Sequence, residues 1–85
     1  MSMVMELIAA VSNAERQIDD QISKLQSYQN EIDFVQKRVD AAFSGSNVQY
    51  GKNMIEQLSQ TKRQVTDTIS RLQNAKDKLI QVRII

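Results

Sequence analysis

The sequence predicts an all-α fold, an antiparallel two-helix hairpin resembling a coiled coil, and three observations support this prediction. Apolar residues recur at every seventh position in both halves of the chain, as in long helices that pack through one continuous stripe. The chain has no Pro and two Gly, so it has few residues that break helices. Phe43-Ser44-Gly45 stands at the middle of the 85 residues, where a break folds two arms of similar length together.

The first arm carries the clearer repeat. Its aliphatic seam consists of Val4, Val11, Ile18, Leu25, Ile32 and Val39. Three residues after each seam position runs a plus-three stripe of Leu7, Ala14, Gln21, Tyr28, Val35 and Ala42. Four residues after each seam position runs a plus-four stripe of Ile8, Glu15, Ile22, Gln29, Gln36 and Phe43. This period of seven predicts helices that wind around each other with a left-handed supercoil.

The second arm repeats this pattern with more polar flanks. Its seam consists of Leu58, Val65, Leu72 and Leu79. Its plus-three stripe is Met54, Thr61, Thr68, Ala75 and Val82, and its plus-four stripe is Ile55, Lys62, Ile69, Lys76 and Arg83. Gly51 extends the seam towards the turn. Two interpretations of Gly51 remain open, close approach of the helices or a tolerated weak point that costs up to ~1 kcal/mol relative to Ala.

The large apolar members of these stripes form the predicted surface for helix packing and for a protein partner. They are Val4, Leu7, Val11, Ile18, Ile22, Leu25, Ile32, Val35, Val39, Met54, Ile55, Leu58, Val65, Ile69, Leu72 and Leu79. Two helices that pair through one seam have little interior, so we expect the hairpin to pair into a four-helix bundle, with a second copy or with another protein.

We predict one domain over residues 1–85, with helices at 3–43 and 47–82 and a turn at 44–46. Phe43 is predicted to close the end of the hairpin. Gly45 is expected to end the first helix in the left-handed conformation. Ser46 and Gln49 have the spacing of a capping box that opens the second helix.

Charge is distributed unequally between the arms. Residues 1–43 contain four basic and seven acidic residues, a net charge of −3, whereas residues 44–85 contain seven basic and three acidic residues, a net charge of +4. An acidic arm beside a basic arm favours antiparallel pairing, although each exposed ion pair contributes about 0–1 kcal/mol.

The residue types argue against catalysis and cofactors. The chain has no His and no Cys, so it lacks the usual zinc ligands and any evident base for a Ser or Thr nucleophile. We therefore expect no enzyme activity, cofactor, metal or small-molecule substrate. Tyr28 and Tyr50 are expected to pack partly buried rather than to stack on ligands.

The net charge of +1 gives no indication of a nucleic-acid partner. No segment reaches the ~20 apolar residues of a membrane span, and the N-terminus lacks the basic and apolar regions of a signal peptide. We expect a cytoplasmic protein, or one exported without a cleaved signal peptide.

The layout resembles the WXG family of small type VII secretion proteins, which are helical hairpins of similar size with a central W-x-G turn. Phe43-Ser44-Gly45 stands where that turn would stand. Phe replaces Trp, and neither Tyr28 nor Tyr50 begins the C-terminal Y-x-x-x-D/E signal of the family, since Ile32 and Met54 stand four residues on.

With these two departures, the sequence resembles more closely the small WXG-like proteins that accompany LXG-domain toxins in Gram-positive bacteria. The resemblance implies a non-catalytic targeting factor, chaperone or co-secreted partner that binds the helical N-terminal domain of a secreted effector. The alternatives are a self-assembling coiled-coil structural protein, which pairs with itself, and a type III needle-like subunit. The needle-like family has a Pro-containing turn, which this sequence lacks.

Overall fold

The computed structural model describes residues 2–45 and 48–84, which form an antiparallel hairpin of two α-helices. Helix α1 spans Ser2–Phe43 and helix α2 spans Val48–Ile84. The all-α hairpin predicted from the sequence is confirmed. The predicted helix boundaries differ from these by no more than two residues at each end.

The hairpin is thin and elongated. Its principal extents are 69 × 14 × 12 Å and its radius of gyration is 19.4 Å. A compact domain of this length would have a radius of gyration of about 12 Å. The two helices can cover only one side of each other, so most side chains keep contact with solvent.

The register between the helices is constant along the hairpin. In each of four polar contacts between α1 and α2, the two residue numbers add up to 95. The pairs are Asp19 with Lys76, Gln29 with Thr66, Asp33 with Lys62, and Gln36 with Ser59. This register places the end of α2, at Ile84, level with Val11. About nine residues at the start of α1 therefore extend past α2.

The interior of the hairpin is one narrow layer of aliphatic side chains between the two helices. Six of the predicted interface residues are buried, namely Val11, Ile22, Ile32, Val39, Val65 and Ile69. Six more are half-buried, namely Ile18, Leu25, Ile55, Leu58, Leu72 and Leu79. Burial of each such side chain contributes up to about 1.5–3 kcal/mol. These twelve residues belong to the seams and the plus-four stripes.

The other four predicted interface residues do not pack within the hairpin, so their role at a partner interface stays a prediction. Val4, Leu7, Val35 and Met54 are all exposed. Leu7, Val35 and Met54 belong to the plus-three stripes, which point away from the opposite helix. Val4 is a seam residue, but it lies in the part of α1 that extends past α2.

At the turn, Phe43 packs closely against the first residues of α2. A Cβ atom built on Gly51 would lie 2.6 Å from the Phe43 Cβ atom, so the absence of a side chain at Gly51 lets the helices approach. The Phe43 and Tyr50 rings are 5.8 Å apart and tilted by 49°, a favourable arrangement for two aromatic rings. Of the two interpretations of Gly51, the structure supports close approach.

The end of α1 differs from the prediction. Gly45 does not adopt the left-handed conformation, and a Cβ atom there would meet nothing within 4 Å. The Ser44 hydroxyl instead donates a hydrogen bond of 3.2 Å to the Ala41 carbonyl oxygen, which satisfies one of the carbonyl groups left free at a helix end. The predicted capping box involves Ser46, which lies outside the described residues.

Candidate interaction surface

The antiparallel arrangement gives the hairpin two different faces. Successive helical residues are about 100° apart, so the plus-four stripe lies about 40° to one side of the seam and the plus-three stripe about 60° to the other. The two-fold axis that relates two antiparallel helices is perpendicular to their common plane. Equivalent positions of α1 and α2 therefore lie on the same face.

One face, here called the polar face, is closed by contacts between the helices. A plus-four residue of one helix reaches the residue that follows a seam position in the other. Gln29 Nε2 donates to Thr66 Oγ1 at 2.7 Å, and Gln36 Nε2 donates to Ser59 Oγ at 2.9 Å. Gln36 Nε2 also lies 3.3 Å from the Ile55 carbonyl oxygen.

Two salt bridges on the polar face join the acidic arm to the basic arm, as the charge distribution predicts. Lys62 pairs with Asp33, and Lys76 Nζ lies 2.7 Å from Asp19 Oδ1. The hydrogen bond that Lys76 donates to Asp19 is the main reason why the pKa of Lys76 is raised above 10.5, and the negative charges of Glu15 and Asp77 add to it. Both pairs are partly exposed, so each contributes little to stability.

The opposite face, here called the charge-free face, consists of the two plus-three stripes. It contains Leu7, Ala14, Gln21, Tyr28, Val35 and Ala42 of α1 and Met54, Thr61, Thr68, Ala75 and Val82 of α2. Ala14 and Thr61 are half-buried, and the other nine residues are exposed. The register places Val35 beside Thr61 and Tyr28 beside Thr68. An uncharged surface thus runs along almost the whole hairpin.

The polar groups of the charge-free face are partly satisfied within their own helix. The Thr61 and Thr68 hydroxyls donate to the carbonyl oxygens of Gln57 and Gln64, at 3.1 and 2.9 Å. Near the open end lies a shallow groove of about 400 Å³, whose lining includes Ala14 and Gln21, the charged Asp20 and Lys24 at its edge, and Leu72 of α2. Because the side chains are small and the hydroxyls already have acceptors, apolar groups of a partner can pack on this face at little cost.

The start of α1 adds a second exposed apolar region that is continuous with the charge-free face through Leu7. Met3, Val4, Met5 and Ile8 are 80, 63, 66 and 42% exposed. These side chains occupy several sides of α1 and have no opposing helix in the register described above.

Tyr28 and Tyr50, which are expected to pack partly buried, are 46 and 63% exposed, and the Tyr50 ring packs against the Phe43 ring. The sequence pattern did not indicate the polar bridges that Gln29 and Gln36 make to α2. Their signal was the placement of Thr66 and Ser59 at the matching level of the second arm, which becomes visible only once the register is known.

In residues 2–45 and 48–84 there is no group of three or more His, Cys, Asp or Glu residues placed to hold a metal ion. Within the same ranges, neither helix has a stretch long and apolar enough to cross a membrane. The most extensive feature of the described surface is the charge-free face.

No protein-family model matches this chain, and no curated protein or solved structure matches it significantly.

Proposed function

We propose that this chain is a non-catalytic helical hairpin that binds a helical protein partner through its charge-free face. In the more specific form that the WXG-like resemblance suggests, the partner is the helical N-terminal domain of a type VII secretion effector. The hairpin would then act as a targeting factor, chaperone or co-secreted partner.

The exposure of the charge-free face is the observation that supports this proposal. Tyr28, Val35 and Val82 are 46, 43 and 48% exposed on one uncharged surface. The hairpin is about 69 Å long and 14 Å wide, so one whole face covers roughly 1,000 Å², comparable with the ~800 Å² per partner in a specific interface. A helical partner would complete the four-helix or three-helix arrangement that two helices leave open.

A second copy of the same chain is the alternative partner. The constant register and the seam of six aliphatic residues in α1 are also typical of coiled-coil proteins that assemble with themselves. Two hairpins packed through their charge-free faces would give a symmetric four-helix bundle with a structural role.

The test is capture of the tagged chain from its own organism, followed by mass spectrometry of the proteins that accompany it. We expect one large protein with a long helical N-terminal region, in near-stoichiometric amount. Recovery of the chain alone, as a stable homo-oligomer, would contradict a role as an effector partner.

Two neighbouring positions provide a matched pair of bait variants. Val35 lies on the charge-free face, whereas Phe34 lies on the outer side of α1, and both are exposed. Val35→Glu should abolish capture of the partner because it places a charge in the covered surface. Phe34→Glu should leave capture unchanged. Loss of the partner with both variants, or with neither, would show that another surface binds it.

A further inference from the structure

The charge-free face has a charged rim, and its sign indicates what kind of partner fits there. On each helix, the rim is the row of residues just outside the plus-three stripe, and its members stand six residues after each seam position. Its charged residues are Lys24, Glu31, Arg38, Arg71 and Lys78. All five are exposed, and four of them are basic. The rim is therefore strongly basic in a chain whose net charge is +1.

The rim charges are arranged along both edges of the face. In the register described above, Lys24 of α1 lies level with Arg71 of α2, and Lys78 lies about two helical turns nearer the open end. Among the described residues, the salt bridges Asp33–Lys62 and Asp19–Lys76 lie on the polar face and neither includes a rim residue. Arg38 lies over the Phe34 ring, 5.6 Å from its centre.

We propose that the occupant of the charge-free face is a helical segment with an apolar stripe flanked by acidic residues. This inference rests on the proposed function and adds the chemistry of the partner. Acidic flanks would lie against Lys24, Arg71 and Lys78 while the apolar stripe covers Tyr28 and Val35. Complementary charges of this kind select partners and raise association rates.

The same rim disfavours a second copy as the occupant. If two hairpins packed through their charge-free faces with both turns at the same end, Lys24 of each hairpin would face Arg71 of the other. In the antiparallel pair, Glu31 could meet a basic residue, but the two rims would still carry the same net sign. Like charges that face each other across an interface repel, so the rim weakens binding of a second copy.

The experiment uses the chain itself as a probe of known chemistry. An acid-rimmed copy carries Lys24→Glu, Arg38→Glu, Arg71→Glu and Lys78→Glu, and keeps the charge-free face intact. A control copy carries Arg16→Glu, Lys37→Glu, Lys52→Glu and Arg63→Glu, four exposed positions away from that face. Both copies undergo the same change in net charge. Circular dichroism checks that each is helical. If either is not, the double variant Lys24→Glu with Arg71→Glu replaces the acid-rimmed copy and Arg16→Glu with Arg63→Glu replaces the control copy.

Association with the wild-type chain is measured by sedimentation equilibrium at low and high salt. We expect the acid-rimmed copy to bind the wild type about tenfold more tightly than the wild type binds itself, as a few surface ion pairs would give. That advantage should largely disappear at about 1 M salt, where the Debye length is ~3 Å. The control copy should show no such preference.

Three results would overturn the inference. Equal binding of both charged copies would mean that net charge, rather than the rim, attracts them. If the wild type binds itself as tightly as it binds the acid-rimmed copy, the face would be assigned to a second copy. Absence of association in every mixture would show that the face does not bind helices. Recovery of no partner from the organism would count against the proposed function instead, because the rim preference is measured independently.

Discussion

At the scale of single residues, the close approach of the helices at the turn depends on a missing side chain. Gly51 is buried opposite Phe43, and a Cβ atom there would lie 2.6 Å from Phe43 Cβ and 3.1 Å from Phe43 Cγ. The Cβ atom of Phe43 is fixed to its backbone, so it cannot move aside without moving α1. The turn and its aromatic residue are therefore matched to a glycine eight residues further along the chain.

Gly51→Ala should destabilise the hairpin, although Ala is the better helix former by about 1 kcal/mol. The new methyl group would force α1 and α2 apart at the turn, and overpacking of this kind costs typically 1–3 kcal/mol. Urea unfolding monitored by circular dichroism measures the change. Gly45→Ala is the matched control, because Gly45 has open space around it and no left-handed backbone. A gain in stability of about 1 kcal/mol for Gly51→Ala, as helix propensity alone would give, would contradict the close approach.

Lys76 provides a prediction for alkaline pH. Its pKa is raised in the folded chain, chiefly by the hydrogen bond to Asp19. A raised pKa stabilises the folded state below the unfolded value of 10.5, and this contribution is lost as the pH rises through the folded value. The stability difference between wild type and Lys76→Gln should therefore be constant from neutral pH to about 10 and should shrink above it.

Thermal unfolding at a series of pH values measures this difference, with Lys78→Gln as the control. Lys78 is an exposed rim residue in neither salt bridge, so its variant should show no comparable narrowing. A difference that grows with pH for Lys76→Gln would contradict the role assigned to Asp19.

At the scale of the helices, the sequence predicted the seam but not which of its flanks faces the other helix. Both flanks of the first arm carry large apolar residues, such as Tyr28 and Val35 on one side and Ile22 and Phe43 on the other. The deciding factor is pairing across the hairpin. Gln29 and Gln36 find hydroxyl partners on α2, and partly buried amide groups without partners would be costly. Those partners cannot be assigned before the register is known.

The seam and the charge-free face should differ in their response to a charge. Leu25 is half-buried and packs against the cluster of Ile22, Val65 and Ile69, so Leu25→Asp should lower the free energy of unfolding by roughly 3 kcal/mol or more. Tyr28→Asp, one turn away on the charge-free face, should change it by about 1 kcal/mol or less. Chemical denaturation of both variants measures the effects. Equal losses would mean that the charge-free face is part of the hairpin interior.

At the scale of the whole molecule, the hairpin has a closed side and an open side. The polar face is closed by four pairs in one register, whereas the charge-free face leaves apolar side chains in solvent along a molecule 69 Å long. The sequence predicted the surplus of apolar surface, because a two-helix chain has little interior. It did not separate the residues that pack within the hairpin from those, such as Leu7, Val35 and Met54, that remain available to a partner.

The most direct test of the central claim is the reactivity of a thiol on each side of α1 in the complex isolated from the organism. The chain has no Cys, so Val35→Cys and Phe34→Cys each introduce a single thiol. Labelling rates are compared between the free chain and the complex. We predict that labelling of the Val35→Cys variant slows at least about tenfold in the complex, because the partner covers the charge-free face, while labelling of the Phe34→Cys variant is unchanged. Protection at position 34 with free reaction at position 35 would contradict the assignment of the binding surface.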